Sequence, residues 1–153
     1  MASPVATAEL NFNMGPILGL DFSEEVLETA EKDVAGRIRQ NIRQSKGEGG
    51  TLAPLKESTI AAKKRKGYHP ADRPLQATGA MRDGIRARKV GVNHAVVEPT
   101  NKPEVAGYHQ EGHSRGHFPA RPFFSLTARN QSHIMNRLKL RMTRRIEKAI
   151  ERT

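Results

Sequence analysis

Residues 108–124 have the sequence YHQEGHSRGHFPARPFF, in which two glycines and two prolines interrupt any helical or strand period. Pro119 and Pro122 each fix a φ angle and lack an amide donor, so the chain there is extended before it meets anything. Phe118, Arg121 and Phe123 are presented on this stiff segment. Aromatic and guanidinium groups held in this way are typical of an assembly motif rather than a catalytic one.

Two roles remain open for this segment. It is either an internal joint between a sheet and a helix, with Phe123 and Phe124 entering the core, or a surface that contacts a neighbouring subunit. Arg121 fits both, because a guanidinium can fork into backbone carbonyls of its own chain or into a neighbour's carboxylate.

Three histidines at intervals of four, His109, His113 and His117, raise the alternative of a metal enzyme. Gly112 and Gly116 interrupt that spacing and favour a loop, and no HExxH order is present. The carboxylates are scattered, and no GxSxG, GxxxxGK[ST] or GxGxxG motif occurs. We therefore expect structural histidines, no enzymatic activity, no cofactor and no metal.

Composition limits the remaining classes. The chain has 153 residues, 36% of them hydrophobic, with no Trp and no Cys. It predicts one domain with a modest core, completed by partner surfaces, and the lack of Cys fits folding in a reducing cytoplasm. The first twenty residues resemble neither a signal peptide nor a membrane span. Residues 77–153 hold 15 Lys and Arg against 6 Asp and Glu, a net charge of +9, so the basic surface belongs to the second half.

The first half predicts an arm followed by helices. Residues 1–22 form the arm, for which we expect a neighbouring subunit as the holder. A helix starts at Ser23, whose hydroxyl caps it, and stops at Lys46 and Gly47. Its apolar stripe consists of Leu27, Ala30, Val34, Ile38 and Ile42. A linker follows to Thr51, then a short helix from Ser58 to the basic end Lys63–Lys66, which is either a solvated helix terminus or a polyanion contact.

The second half predicts a small sheet and a long helix. Thr78 caps a short helical turn, strands follow at 85–92 and 94–97, and a third strand spans Val105–Gln110. The last helix runs from about Thr127 to Glu151, with an apolar stripe of Met135, Leu138, Met142, Ile146 and Ala149. Beside it lies a basic stripe, Arg137, Arg141, Arg144, Lys148 and Arg152, which either faces DNA or an acidic partner or is a solvated face.

The order of these motifs resembles the virion-morphogenesis or tail-completion family of tailed bacteriophages, over roughly residues 52–138. The matching features are Pro74-Leu75 with Thr78-Gly79, then the run from Tyr108 to Gly112, then Pro119–Phe123 before the last helix. The resemblance implies a structural protein without cofactors that forms a ring, sixfold in copy number, at the neck or tail end. Such a ring is the tail terminator, which completes the tail and carries out head-tail joining.

We therefore expect an α+β fold, in which a small antiparallel sheet is flanked by an N-terminal helix and a long C-terminal helix, with residues 23–153 as a single ring-forming domain. The expected partners are further copies of the chain, adjoining neck, connector and tail-tube proteins, and DNA in the lumen. The predicted location is the virion, assembled in the host cytoplasm. The predicted interface residues are Tyr108, His109, Gln110, Phe118, Arg121, Pro122 and Phe123, and the predicted DNA or acidic-partner face is Arg137, Arg141, Arg144 and Lys148. The rival is a small basic nucleic-acid-binding protein.

Overall fold

A three-stranded antiparallel sheet lies at the centre of the protein, in a computed structural model that describes residues 7–11, 20–47 and 49–152. Its strands are β1 (Ala8–Asn11), β4 (Ile85–Gly91) and β5 (His94–Pro99), in the order β1-β5-β4. The predicted hairpin of β4 and β5 is confirmed. Its turn is tied to the start of the first helix, because the Asn93 side-chain oxygen accepts from the Phe22 amide at 2.8 Å.

The third strand was wrongly placed at Val105–Gln110. That segment belongs to helix α5 (Pro103–Glu111), with Pro at its first position and Gly112 beyond its end. Proline there costs no hydrogen bond and glycine suits a helix stop, so both helix signals were present and outweighed the apolar run between them.

Strand β1 takes the place of that third strand. It comes from the predicted arm and pairs with β5 of its own chain, Leu10 opposite Ala95. The expectation that a neighbouring subunit holds the arm is therefore wrong for β1. Residues 1–6 and 12–19 of the arm lie outside the described residues.

The predicted first helix is confirmed as three consecutive segments, α1 (Ser23–Thr29), a π-helical segment (Ala30–Ala35) and α2 (Gly36–Gln44). Its predicted stripe faces the core: Ala30, Val34, Ile38 and Ile42 are buried, and Leu27 is partly buried. The predicted Ser23 cap is wrong. The Ser23 hydroxyl instead accepts from the Asn93 amide at 3.0 Å, while the Asp21 carboxylate accepts from the Ser23 amide at 2.8 Å.

Short elements connect this helix to the sheet. Strands β2 (Lys46–Gly47) and β3 (Gly50–Thr51) pair within the predicted linker. Helix α3 (Glu57–Arg65) confirms the predicted short helix and has no buried residue. Helix α4 (Ala80–Asp83) follows, and the Thr78 hydroxyl accepts from the Ala80 amide at 3.3 Å.

The last helix, α6 (Ala128–Glu151), begins at Thr127, whose hydroxyl accepts from the Asn130 amide at 3.1 Å. Leu138 and Met142 of its predicted stripe are buried, together with Ile134, whereas Ala149 is exposed. These side chains pack on the first helix and the sheet in one core, whose largest members are Phe22, Phe123, Ile38, Ile42, Ile85 and Leu138. The predicted α+β class is confirmed. In the part of the chain that the structure describes, no helix has the length and apolar character needed to cross a membrane.

Candidate assembly site

The segment 108–124 folds as the last turn of α5, a tight loop and an extended return. His113 and Phe118 form an isolated antiparallel bridge, with backbone N to O distances of 3.2 and 3.4 Å between them. His117, inside the loop, has a φ of +53°. The extended return then runs beside α5, where the Arg121 amide donates to the His109 carbonyl at 2.6 Å. The prolines thus hold a strand-like segment that the rest of the protein fastens at several points.

Arg121 is the strongest of these fastenings. Only 4% of the residue is exposed, and its guanidinium donates from Nε to the Ala53 carbonyl at 2.7 Å and from Nη2 to the Pro54 carbonyl at 2.9 Å. Burial lowers the pKa of Arg121 from its ordinary value. The guanidinium therefore joins three separate parts of the chain, and the internal-joint role left open by the sequence is the one it performs within the subunit.

His109 lies against this guanidinium as a neutral ring. Its Nδ1 atom is buried and has no hydrogen-bond partner among the described residues. Burial, and after it the charge of Arg121, lower the pKa of His109 below the ordinary histidine value. Both causes disfavour the imidazolium, so the site keeps this ring uncharged at neutral pH.

The other rings form an aromatic cluster rather than a metal site. His113 lies 4.3 Å from Tyr108 and 5.7 Å from Phe118 between ring centroids, and His109 lies 5.0 Å from Phe118. His113 Nδ1 accepts from the Gly116 amide at 2.6 Å. Within the described residues no three His, Asp or Glu side chains are grouped to hold a metal ion. The alternative of a three-histidine metal centre therefore has no ligand geometry here.

The predicted interface residues divide between interior and surface. Phe123 is fully buried, so its predicted interface role is wrong and it is a core residue. Arg121 is likewise bound to its own chain. The Gln110 side chain accepts from the Phe124 amide at 3.0 Å and fixes the return segment. Tyr108, His109, Gln110 and Phe118 are half-buried and Pro122 is exposed, so these residues retain surface for a partner.

A cleft opens beside this segment. We call it the Arg121 cleft; it has a volume of about 540 Å³ and its walls include Pro54, Leu55, Lys56, His109, Phe118 and Arg121. None of the described residues that line it is acidic. His109 also lines a second cleft of about 630 Å³, which is bounded by Leu75, Met81 and Val105 among others. The motif that the sequence singled out thus stands between two largely apolar depressions.

The predicted basic face on α6 is also divided. Arg141, whose side chain is 12% exposed, donates to Asp33 and to the Thr29 hydroxyl, the latter at 2.9 Å. Arg137 lies 3.6 Å from the same Asp33 carboxylate. Arg144 and Lys148 are exposed and form no ion pair within the described residues. Half of the predicted face is therefore engaged in joining α6 to the first helix.

Sequence reasoning missed the partners of these cations. Asp33 and Glu28 lie on one side of the first helix and meet Arg141, which their three- to five-residue spacing along that helix is sufficient to suggest. Ala53 and Pro54 act only through their carbonyl oxygens, and such a role leaves no side-chain signal. Comparison of the chain with protein-family models, curated proteins and solved structures gives no match.

Proposed function

We propose that this chain is a structural protein of a tailed-bacteriophage virion, which forms a ring at the neck or tail end, completes the tail and joins it to the head. The virion assignment rests on the ordered motifs of residues 74–79, 108–112 and 119–123. In the fold, the last two of these lie together at the Arg121 cleft, and residues 77–79 line the neighbouring one.

One observation carries the assembly part of the proposal: whole surfaces of helix bury nothing within the single chain. Helix α3 has nine residues and none of them is buried. Residues 143–152 of α6 and its end likewise include no buried side chain. Helices shorter than roughly 12–15 residues are marginal alone in water, so such surfaces are normally completed by a partner. A ring supplies that partner with copies of the same chain.

The rival, a nucleic-acid-binding protein, has less support. Arg137 and Arg141 are occupied by carboxylates of the first helix, which leaves Arg144 and Lys148 as the exposed remainder of that face. A structural ring makes use of this remainder too, as a surface toward DNA in its lumen or toward an acidic adjoining ring.

The test is electron microscopy of particles made by the phage that encodes this chain, with its gene deleted. We expect filled heads separated from unjoined or wrongly terminated tails. Supplying the intact gene in trans should restore joined virions, which controls for effects on neighbouring genes. Normal joined virions from the deletion would overturn the proposed function.

A further inference from the structure

The Arg121 cleft contains a buried cation that lacks a carboxylate partner. The guanidinium is bound by the two carbonyl dipoles of Ala53 and Pro54, and no ion pair of Arg121 occurs within the described residues. Lys56 adds a second positive charge at the cleft wall, and Pro54, Leu55 and Phe118 provide apolar surface. A buried charge is better stabilised by a full counter-charge than by dipoles alone. The cleft therefore fits a ligand that presents a carboxylate beside an apolar side chain.

The end of α6 presents that combination. Leu140, Thr143, Glu147 and Ile150 follow one another at intervals of three, four and three residues, and so form one stripe along the helix. Leu140 is 44% exposed and Ile150 is 69% exposed. Glu151 lies beside Ile150, and neither glutamate forms an ion pair within the described residues. We call Leu140, Thr143, Glu147, Ile150 and Glu151 the outer stripe of α6.

We propose that the outer stripe of α6 in one copy of this chain docks into the Arg121 cleft of the next copy. Ile150 meets the apolar wall formed by Leu55 and Phe118, while Glu147 and Glu151 supply the carboxylates for Lys56 and Arg121. The occupant is a second copy because this chain offers both complementary surfaces, acidic-apolar on one and cationic-apolar on the other.

The contact is heterologous, since two different patches meet. Repetition of such a contact closes into a ring when the rotation between copies allows it. The inference rests on the proposed function, and it names the two surfaces through which the ring is built.

A charge-reversal experiment on the full-length chain tests this contact, with the oligomeric state measured by size-exclusion chromatography and light scattering. We expect Lys56→Glu to weaken self-association about tenfold or more, and Glu147→Lys with Glu151→Lys to do the same. All three changes in one chain should restore assembly. Lys64→Glu is the matched control, because Lys64 is exposed on α3 and lines neither cleft.

Cross-linking gives a second measurement, because the chain has no cysteine of its own. Thr59→Cys at the cleft with Ile150→Cys on the outer stripe should form intermolecular disulfides and a ladder of covalent oligomers under oxidising conditions. Thr59→Cys with Val92→Cys, at the exposed hairpin turn, should not.

Three outcomes would overturn the inference: a wild-type chain that stays monomeric, an oligomer unaffected by either charge reversal, or a triple variant that is not restored. The second and third leave the proposed function intact, since that depends on the phenotype of the gene deletion. Joined virions from the deletion would reject the proposed function while leaving the contact between copies measurable.

Discussion

Arg141 of α6 donates from Nη1 to the Asp33 carboxylate of the π-helical segment, and the two side chains are only 12% and 13% exposed. This ion pair crosses between the two longest helical units of the fold. Removing one partner of a buried pair leaves the other as an uncompensated charge, which costs more than the pair itself contributes.

Asp33→Ala should therefore lower the free energy of unfolding by about 3 kcal/mol. The double variant Asp33→Ala with Arg141→Met should lose less than the sum of the two single changes, because it removes both charges. Glu24→Ala, at an exposed position on the same helix, serves as the control. Urea unfolding followed by circular dichroism measures all four, and strictly additive losses would contradict the coupling.

The sequence predicted the two long helices because their apolar residues recur over many turns. Ala30, Val34, Ile38 and Ile42 are buried as the stripe indicated, and Leu138 and Met142 likewise. A long period averages out local exceptions, so a single polar or exposed position such as Ala149 does not change the assignment.

Short elements carried too little pattern for the same argument. Strand β1 has four residues, AELN, and its pairing with β5 is decided by contacts more than eighty residues away in sequence. In α5, the apolar run around Val105 resembled a strand, and the decisive signals were Pro103 and Gly112 at its ends. Tertiary contact outweighs local preference over such lengths.

The candidate site was predicted in part. Residues 108–124 do form a fastened, extended segment, and Arg121 is its central contact. The structure reversed the direction of that contact, since its acceptors are Ala53 and Pro54 of the same chain. A backbone carbonyl is present at every residue, so no sequence pattern distinguishes these two from the others.

Gly47 provides a test of how tightly the Arg121 segment is packed. A Cβ atom added at Gly47 would lie 2.3 Å from the Pro122 carbonyl oxygen, whereas one at Gly49 would meet nothing within 4 Å. Gly47→Ala should lower the free energy of unfolding by about 1–3 kcal/mol, because the backbone at Pro122 must shift.

Gly49→Ala is the matched control, with an expected change of at most about 0.5 kcal/mol. Thermal and urea unfolding of both variants measure the difference. Equal stability of the two would show that the segment at Pro122 moves freely, contrary to its fastening by Arg121.

Gly36 offers the opposite expectation. It has ordinary helical angles, φ −57° and ψ −42°, between the π-helical segment and α2, and an added Cβ would meet nothing within 4 Å. Gly36→Ala should raise the free energy of unfolding by about 0.5–1 kcal/mol, because alanine loses less backbone entropy on folding.

Gly84→Ala makes the contrast, since its Cβ would lie 2.9 Å from the Asn101 side chain and 3.0 Å from the Ala80 carbonyl oxygen. We expect that variant to be destabilised. A destabilised Gly36→Ala protein would mean that the π-helical segment requires glycine at its end.

His109 makes stability depend on pH. Burial, together with the charge of Arg121, lowers the pKa of this imidazole in the folded state below its ordinary value of 6.5. Below pH 6.5 the unfolded chain therefore binds a proton that the folded chain does not, and acidification favours unfolding. The contribution of the neutral ring is fully present above pH 6.5 and is lost as the pH falls toward the lowered pKa.

The free energy of unfolding of the wild-type chain should thus fall more steeply between pH 7.5 and 5 than that of His109→Gln, which cannot be protonated there. His133→Gln, at an exposed position on α6, removes one histidine without touching this site. Urea titrations across this pH range measure the three slopes. A His109→Gln protein with the same slope as wild type would refute the neutral, buried imidazole, because protonation of His109 would then cost the folded state nothing.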